Sequence, residues 1–244
     1  MSASASTVRT LWLVRHGESE GNLVATAADR SGAEQLDLEW RDADTPLSAG
    51  GEEQAVALGS WMRDHADGID VAWVSPYVRA RRTLELAASG TDLPILIDER
   101  LRDRELGVLD GLTRRGVEAR HPAEAERRRK LGKYYHRPPG GESWADVALR
   151  LRSFLQDALA APVGEAVIVA HDAVVMLTLS LLLPWSEEEL LGFAADHTVL
   201  NASVTRLDHD GERWTLTSFA DVAHLREEGA DVTVHSGDPD VEPR

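Results

Sequence analysis

An apolar run that stops abruptly on a cation and an imidazole constrains this chain more than any other feature. Leu11-Trp12-Leu13-Val14 is followed at once by Arg15-His16-Gly17-Glu18. Thr10 to Val14 reads as a fully buried strand, because it is apolar, carries Val and Trp, and is followed by Gly. Its carboxyl end delivers an arginine, a histidine and a flexible glycine to one point. In open α/β sheets that edge is where ligands bind. Imidazole is a nucleophile at neutral pH, and the planar fork of Arg matches phosphate oxygens. The tripeptide alone is also what an ordinary strand-to-loop transition looks like, so the rest of the chain has to decide.

Composition narrows the classes. A chain of 244 residues can bury a substantial core, and 43% hydrophobic with 28% charged residues is that of an ordinary globular protein. A net charge of −16 argues against nucleic acid as a partner, which would need a basic face. It leaves room for a phosphorylated small molecule held by a few clustered arginines. With no cysteine there is no disulfide, thiolate metal site or Cys nucleophile. No signal peptide is expected, and the longest apolar run, Ala173 to Trp185, is too short to span a bilayer. The expected location is the cytoplasm, with no membrane partner. Residues 1–7 and 237–244 read as flexible tails around one domain, 8–236.

Between the tails, strands and helices alternate. Ser48 is a good N-cap for a helix over roughly Glu52 to His65. Ile69 to Val74 reads as a second buried strand, after which Ser75-Pro76 opens a helix, Ser as N-cap and Pro at the first position. Leu93 to Ile97 is a short third strand. Ser143 to Asp146 reads as a capping box for a helix with Val147, Leu151, Phe154 and Ala158 on one stripe. Ala166 to Ala170 is a further buried strand, followed by an apolar helix after His171. Ser203 to Leu207 and Trp214 to Phe219 flank Asp210-Gly211 as a hairpin. The pattern implies an α/β fold, a three-layer α/β/α sandwich around a mostly parallel central sheet.

Three of these strands end in reactive or cationic residues: Arg15-His16, Ser75-Pro76 with Arg79 a turn later, and His171. Parallel strands place their carboxyl ends on one edge, so the three segments converge. Each has a bland reading of its own, a solvated helix arginine for Arg79 or a carbonyl-bonded histidine for His171. Phosphoryl transfer to an imidazole also needs a carboxyl to protonate the leaving alkoxide. Asp103 and Glu105, in Leu101 to Gly107, are the two candidates.

Taken in order along the chain, these segments resemble the histidine phosphatase superfamily, the phosphoglycerate mutase-like branch 1. Arg15-His16-Gly17-Glu18-Ser19 with Gly21-Asn22 matches its opening motif. Thr45 to Ala55, Ser75 to Ala80 with Thr83, Leu101 to Gly111 and Pro139 to Ser143 resemble its later landmarks. The resemblance implies that His16 is the nucleophile and forms a phosphohistidine. It implies that Arg15, Arg79 and His171 make the phosphate pocket, with Asn22 and Gly17 beside them. The general acid falls on Asp103, where most relatives carry the longer Glu, and Glu105 is the alternative. After His171 many relatives have Gly; here Asp172 follows, and it would favour a protonated His171 if the two side chains came close. No cofactor and no metal is expected.

Three functions are open at this point. The first is a phosphomonoester hydrolase acting on a small phosphorylated metabolite. The second is a mutase of the phosphoglycerate type. Arg114 and the run Arg127-Arg128-Arg129-Lys130 lie where mutases carry basic contacts, although that run is also what a solvated helix face beside Glu124 and Glu126 looks like. Against a mutase, Asp172-Ala173-Val174-Val175 replaces the expected continuation after the second histidine, and Leu106 stands where mutases place a tyrosine. The third is a non-catalytic phosphate-binding module, which predicts a lost nucleophile or acid. The expected partner is a phosphorylated small molecule, with a homodimer left open.

Overall fold

The computed structural model describes residues 8–235; the tails expected at 1–7 and 237–244 lie outside the described residues. The strands are β1 (Thr10–Arg15), β2 (Val71–Val74), β3 (Ile95–Ile97), β4 (Glu165–Ala170), β5 (Val204–His209) and β6 (Trp214–Asp221). Among the described residues they form one sheet in the order β3-β2-β4-β1-β5-β6. The first four strands of that order run parallel, and β5 and β6 add an antiparallel hairpin. The helices are α1 (Glu20–Ser31), α2 (Ala49–His65), α3 (Val78–Ala87), α4 (Arg114–Arg120), α5 (Pro122–Tyr135), α6 (Trp144–Ala158), α7 (Asp172–Leu182), α8 (Glu187–Asp196) and α9 (Ala223–Glu228).

Continuous apolar strands make this a three-layer structure, because successive side chains point to opposite faces. Leu11 and Leu13 of β1 join Ile168 of β4 and the α6 stripe of Val147, Leu151 and Phe154 on one side, with α7 beside them. Trp12 and Val14 join Val167 and Val169 on the other, against Leu58 and Met62 of α2 and Leu84 of α3. The α/β sandwich read from the sequence is the fold observed.

Register sets the strand ends level. Val14 pairs with Val169, and Val169 with Val74. The next residues leave the sheet together, with His16 N donating to Ala170 O at 3.0 Å and Ser75 N to Val169 O at 3.0 Å. One local expectation fails here. Ser75 does not cap the following helix, which starts at Val78 with Tyr77 at the N-cap. Its hydroxyl is engaged by His171 instead, at 2.8 Å. Arg79 nevertheless sits in the first turn of α3.

The loop after His16 meets the start of α2 backbone to backbone. A Cβ on Gly17 would lie 2.6 Å from Gly51 O, and one on Gly51 would lie 1.9 Å from Glu18 O. Both contacts are closer than carbon and oxygen can approach. Helix propensity alone says that Gly51→Ala stabilises by roughly 1 kcal/mol, but the clash reverses the sign. Gly51→Ala is expected to destabilise by about 2 kcal/mol or more. Gly50→Ala, whose Cβ would meet the Glu18 carboxylate at 3.4 Å and Ser48 Oγ at 3.8 Å, should be neutral or mildly stabilising. Urea denaturation of the two variants checks this; equal midpoints would contradict the close approach.

Candidate active site

His16 leaves β1 with its ring buried, 3% exposed. Its Nδ1 lies 2.7 Å from Gly17 O, and a carbonyl can only accept, so Nδ1 carries the proton. Nε2 therefore presents its lone pair, and Arg79 Nε donates to it at 3.2 Å. Burial, then the charges of Arg79, His171 and Arg15, push the His16 pKa well below that of free imidazole. The ring is held neutral, in the tautomer a nucleophile requires.

Arg79 ties the site together. Besides His16, its Nη2 reaches Asp103 Oδ2 at 3.0 Å, and its Nη1 donates to Asp42 O at 2.6 Å and lies 3.0 Å from Asp42 Oδ1. Burial alone would lower the guanidinium pKa, but the two carboxylates outweigh it and raise it. Asp103 is caught between two partners, with His171 Nδ1 at 3.2 Å from the same oxygen. Burial pushes the Asp103 carboxyl up, while His171 and Arg79 more than offset this and hold it well below the usual carboxylate range.

His171 sits at the end of β4 between Asp103 and Ser75, whose Oγ is 2.8 Å from Nε2. Its ring centroid is 5.2 Å from that of His16. Burial lowers its pKa, and Asp103 pulls the other way without winning. The charge of Asp172 acts on Arg15, and Asp103 is the acid beside His171. Arg15 is 1% exposed, with Nη1 donating to Val199 O at 2.6 Å and His235 O at 2.9 Å. Its Nε has no hydrogen-bond partner among the described residues, which is costly for a buried cation.

Arg15, His16, Asn22, Arg79, Asp103 and Asp172 all line one cavity of about 530 Å³. The Oδ1 of Asn22 accepts from Ser19 N and Asn201 Nδ2, so its remaining offering is an amide donor. His171 lies behind the wall, in contact with it through Asp103. Three further expected contacts are not on the cavity wall. Gly17 gives its N–H to Thr83 Oγ1 at 3.0 Å, and its role is the close approach to Gly51. Glu105 accepts from Tyr77 Oη at 2.9 Å. Arg114 pairs with Glu118 one turn along α4.

Several participants escaped the sequence reading. Ser75 was read as a helix cap rather than a site residue, and Asp42 was not singled out. The stretch before the C-terminal tail was not read as part of the site, yet Val234 and His235 line the cavity. The His235 ring is held at both nitrogens, by Thr26 Oγ1 at 2.7 Å and Glu18 Oε1 at 2.6 Å. Among the described residues no group of three or more His, Cys, Asp or Glu side chains is placed to hold a metal ion, and no helix is long and apolar enough to cross a membrane.

A neutral histidine and two buried arginines thus meet at the carboxyl edge of the parallel strands. The family model of the histidine phosphatase superfamily (branch 1) matches residues 11–222, and the chain belongs to that enzyme superfamily. A relative named "Probable phosphoglycerate mutase GpmB" from Salmonella paratyphi B is 30% identical over 226 residues, 88% of this chain and 94% of that protein. The alpha-ribazole phosphatase from Shigella flexneri matches in fold with a TM-score of 0.72 and 24% identity, over 87% of this chain and 96% of that one. A mycobacterial glucosyl-3-phosphoglycerate phosphatase, solved with inorganic phosphate, matches with a TM-score of 0.70 and 26% identity, over 89% and 99%.

The geometry separates Arg79 from its neighbour. Arg81 lies two residues on, roughly 200° round the helix, and is exposed. Arg79→Ala is expected to lower kcat/KM by 10²–10³-fold, about 3 kcal/mol, as loss of one donor to a developing charge does. Arg81→Ala should change it less than about threefold. Steady-state kinetics on the two variants decide the matter, and equal losses would contradict the placement.

Proposed function

We propose that the protein is a phosphomonoester hydrolase that works through a phosphohistidine on His16. The observation that carries this reading is the neutral, Nδ1-protonated His16 ring, whose Nε2 faces Arg79 beside Asp103. In the first step the Nε2 lone pair attacks phosphorus, the ester P–O bond breaks, and the leaving alkoxide takes a proton from the Asp103 carboxyl. In the second, water attacks the same phosphorus and the P–N bond breaks. Asp103 accepts the proton of that water, and inorganic phosphate leaves with His16 restored. Arg15 and Arg79 balance the charge on the equatorial oxygens, which is most of what phosphoryl transfer needs.

Asp103 rests as a carboxylate, so its proton has to arrive with the substrate. An incoming phosphate competes for Arg79, the cation that holds Asp103 ionised, and brings negative charge close to it. Both effects raise the carboxyl pKa. Phosphate monoesters lose their second proton near pH ~6, so the bound monoanion is itself a source of that proton. Asp103 also lines the cavity, while Glu105 is bonded to Tyr77 and does not, which supports Asp103 as the acid.

The 30% identity to a named mutase keeps phosphoryl transfer to a second hydroxyl as the alternative. The basic residues that recommended it stand elsewhere. Arg127 pairs with Glu124, and Arg129 and Lys130 pair with Glu126, as on a solvated helix face. A purely phosphate-binding module has no use for a nucleophile in the correct tautomer beside a carboxyl.

His16→Ala should abolish turnover, and brief mixing of the native protein with substrate should give an acid-labile phosphoprotein on gel analysis. Most activity surviving in the variant would refute the mechanism. Asp103→Asn should slow an alkyl phosphate by roughly 10²–10⁴-fold. It should slow p-nitrophenyl phosphate far less, since nitrophenolate leaves without a proton. The same leaving-group dependence in Glu105→Gln, and not in Asp103→Asn, would move the acid to Glu105.

A further inference from the structure

The outer half of the cavity is built for more than a phosphate. Trp40, Leu36, Leu38, Leu106 and Leu112 supply an apolar wall. Trp40 lines the cavity and remains 40% exposed, open to contact with a ligand. Aromatic side chains of this kind bind flat apolar groups with little loss of conformational freedom.

Charge on the same wall is mixed but not evenly placed. Outside the two cradle arginines and the acid candidate Asp103, the charged lining residues are Asp29, Asp42, Asp110, Asp172, Arg30 and Arg104. Arg104 is buried, with Nε donating to Glu142 O at 2.8 Å. Arg30 is exposed, at the last turn of α1. Asp42 sits against Arg79, beside the reacting phosphate, and Asp110 is close enough to feel it. Burial pushes the Asp110 carboxyl up, and the charge of Asp42 adds to this. A ligand group beside Arg79 therefore meets the Asp42 and Asp110 carboxyls, while Arg104 Nε is engaged by the Glu142 carbonyl. Hydroxyl groups can donate to them, whereas an anion there would be repelled.

Resting on the hydrolase reading above, we propose that the substrates are monophosphate esters of alcohols with a flat apolar body and no carboxylate. Trp40 is the stacking wall, and Asp42 with Asp110 forms the element that excludes a second anion. The structure thus selects against phosphorylated hydroxy acids at the position next to the ester oxygen.

The test compares kcat/KM for 2-phenylethyl phosphate and 3-phosphoglycerate, with p-nitrophenyl phosphate reporting on the cradle itself. The native protein should prefer 2-phenylethyl phosphate by tenfold or more. Trp40→Ala should lower kcat/KM for that substrate on the order of tenfold, chiefly through KM, and leave 3-phosphoglycerate within about twofold. Asp110→Asn should raise 3-phosphoglycerate turnover and leave 2-phenylethyl phosphate nearly unchanged; it keeps the test decisive should Trp40→Ala fold poorly. Equal or better use of 3-phosphoglycerate by the native protein, or equal effects of either variant on both substrates, overturns the inference while p-nitrophenyl phosphate hydrolysis still upholds the hydrolase. No phosphate release from any of the three overturns both.

Discussion

One buried guanidinium organises this protein's chemistry. Arg79 touches the nucleophile candidate through Nε, the acid candidate through Nη2, and the Asp42 loop through Nη1. A cation taken out of water is tolerated only when its donors are met, so the position of Arg79 fixes the others around it. Removing it would leave Asp103 with His171 and the Arg104 N–H beside it, and His16 without the guanidinium at its Nε2. The cost of burying Arg79 is met by its ion pairs with Asp42 and Asp103.

The sheet makes this economy possible. Its apolar strands need no polar partners along their length, and a level register ends β1, β2 and β4 in the same row. Polar groups are thus concentrated at one edge, where the chain turns out of the sheet. The backbone contact between Gly17 and Gly51 lets the His16 loop lie directly on α2. This explains why Gly17 matters to the site without touching the cavity.

What could be read from the sequence was whatever is written locally. Apolar runs gave the strands, and the residues that interrupt them gave His16, Arg79 and His171. Asp103 came from the need for an acid, narrowed by resemblance to a family. The long-range partners left no such mark. The bond from Ser75 to His171 spans 96 positions and that from His235 to Glu18 spans 217, and nothing near either residue announces it. Ser75 was read as a helix cap because Ser before Pro usually is one. Helices α1 and α5 were missed for a different reason. Ala28 is the buried residue of α1, and α5 leaves every side chain at least partly exposed, so neither shows an apolar stripe. The basic run on α5 suggested a ligand site, but Arg127, Arg129 and Lys130 pair with Glu124 and Glu126 of the same helix.

The two site histidines divide their tasks through their hydrogen bonds. His16 donates its Nδ1–H to a carbonyl and leaves Nε2 facing Arg79; His171 lies between Asp103 and Ser75. This division is the account's central claim, and ¹⁵N NMR of histidine-labelled protein tests it directly. The ring nitrogens of His16, assigned with His16→Asn, should show the neutral tautomer protonated on Nδ1 at pH 7. They should keep that pattern as the pH falls through ~6.5, where free imidazole titrates, because burial and the surrounding cations lower the pKa. A His16 ring that is protonated on Nε2, or that titrates at or above the value of free imidazole, would contradict it.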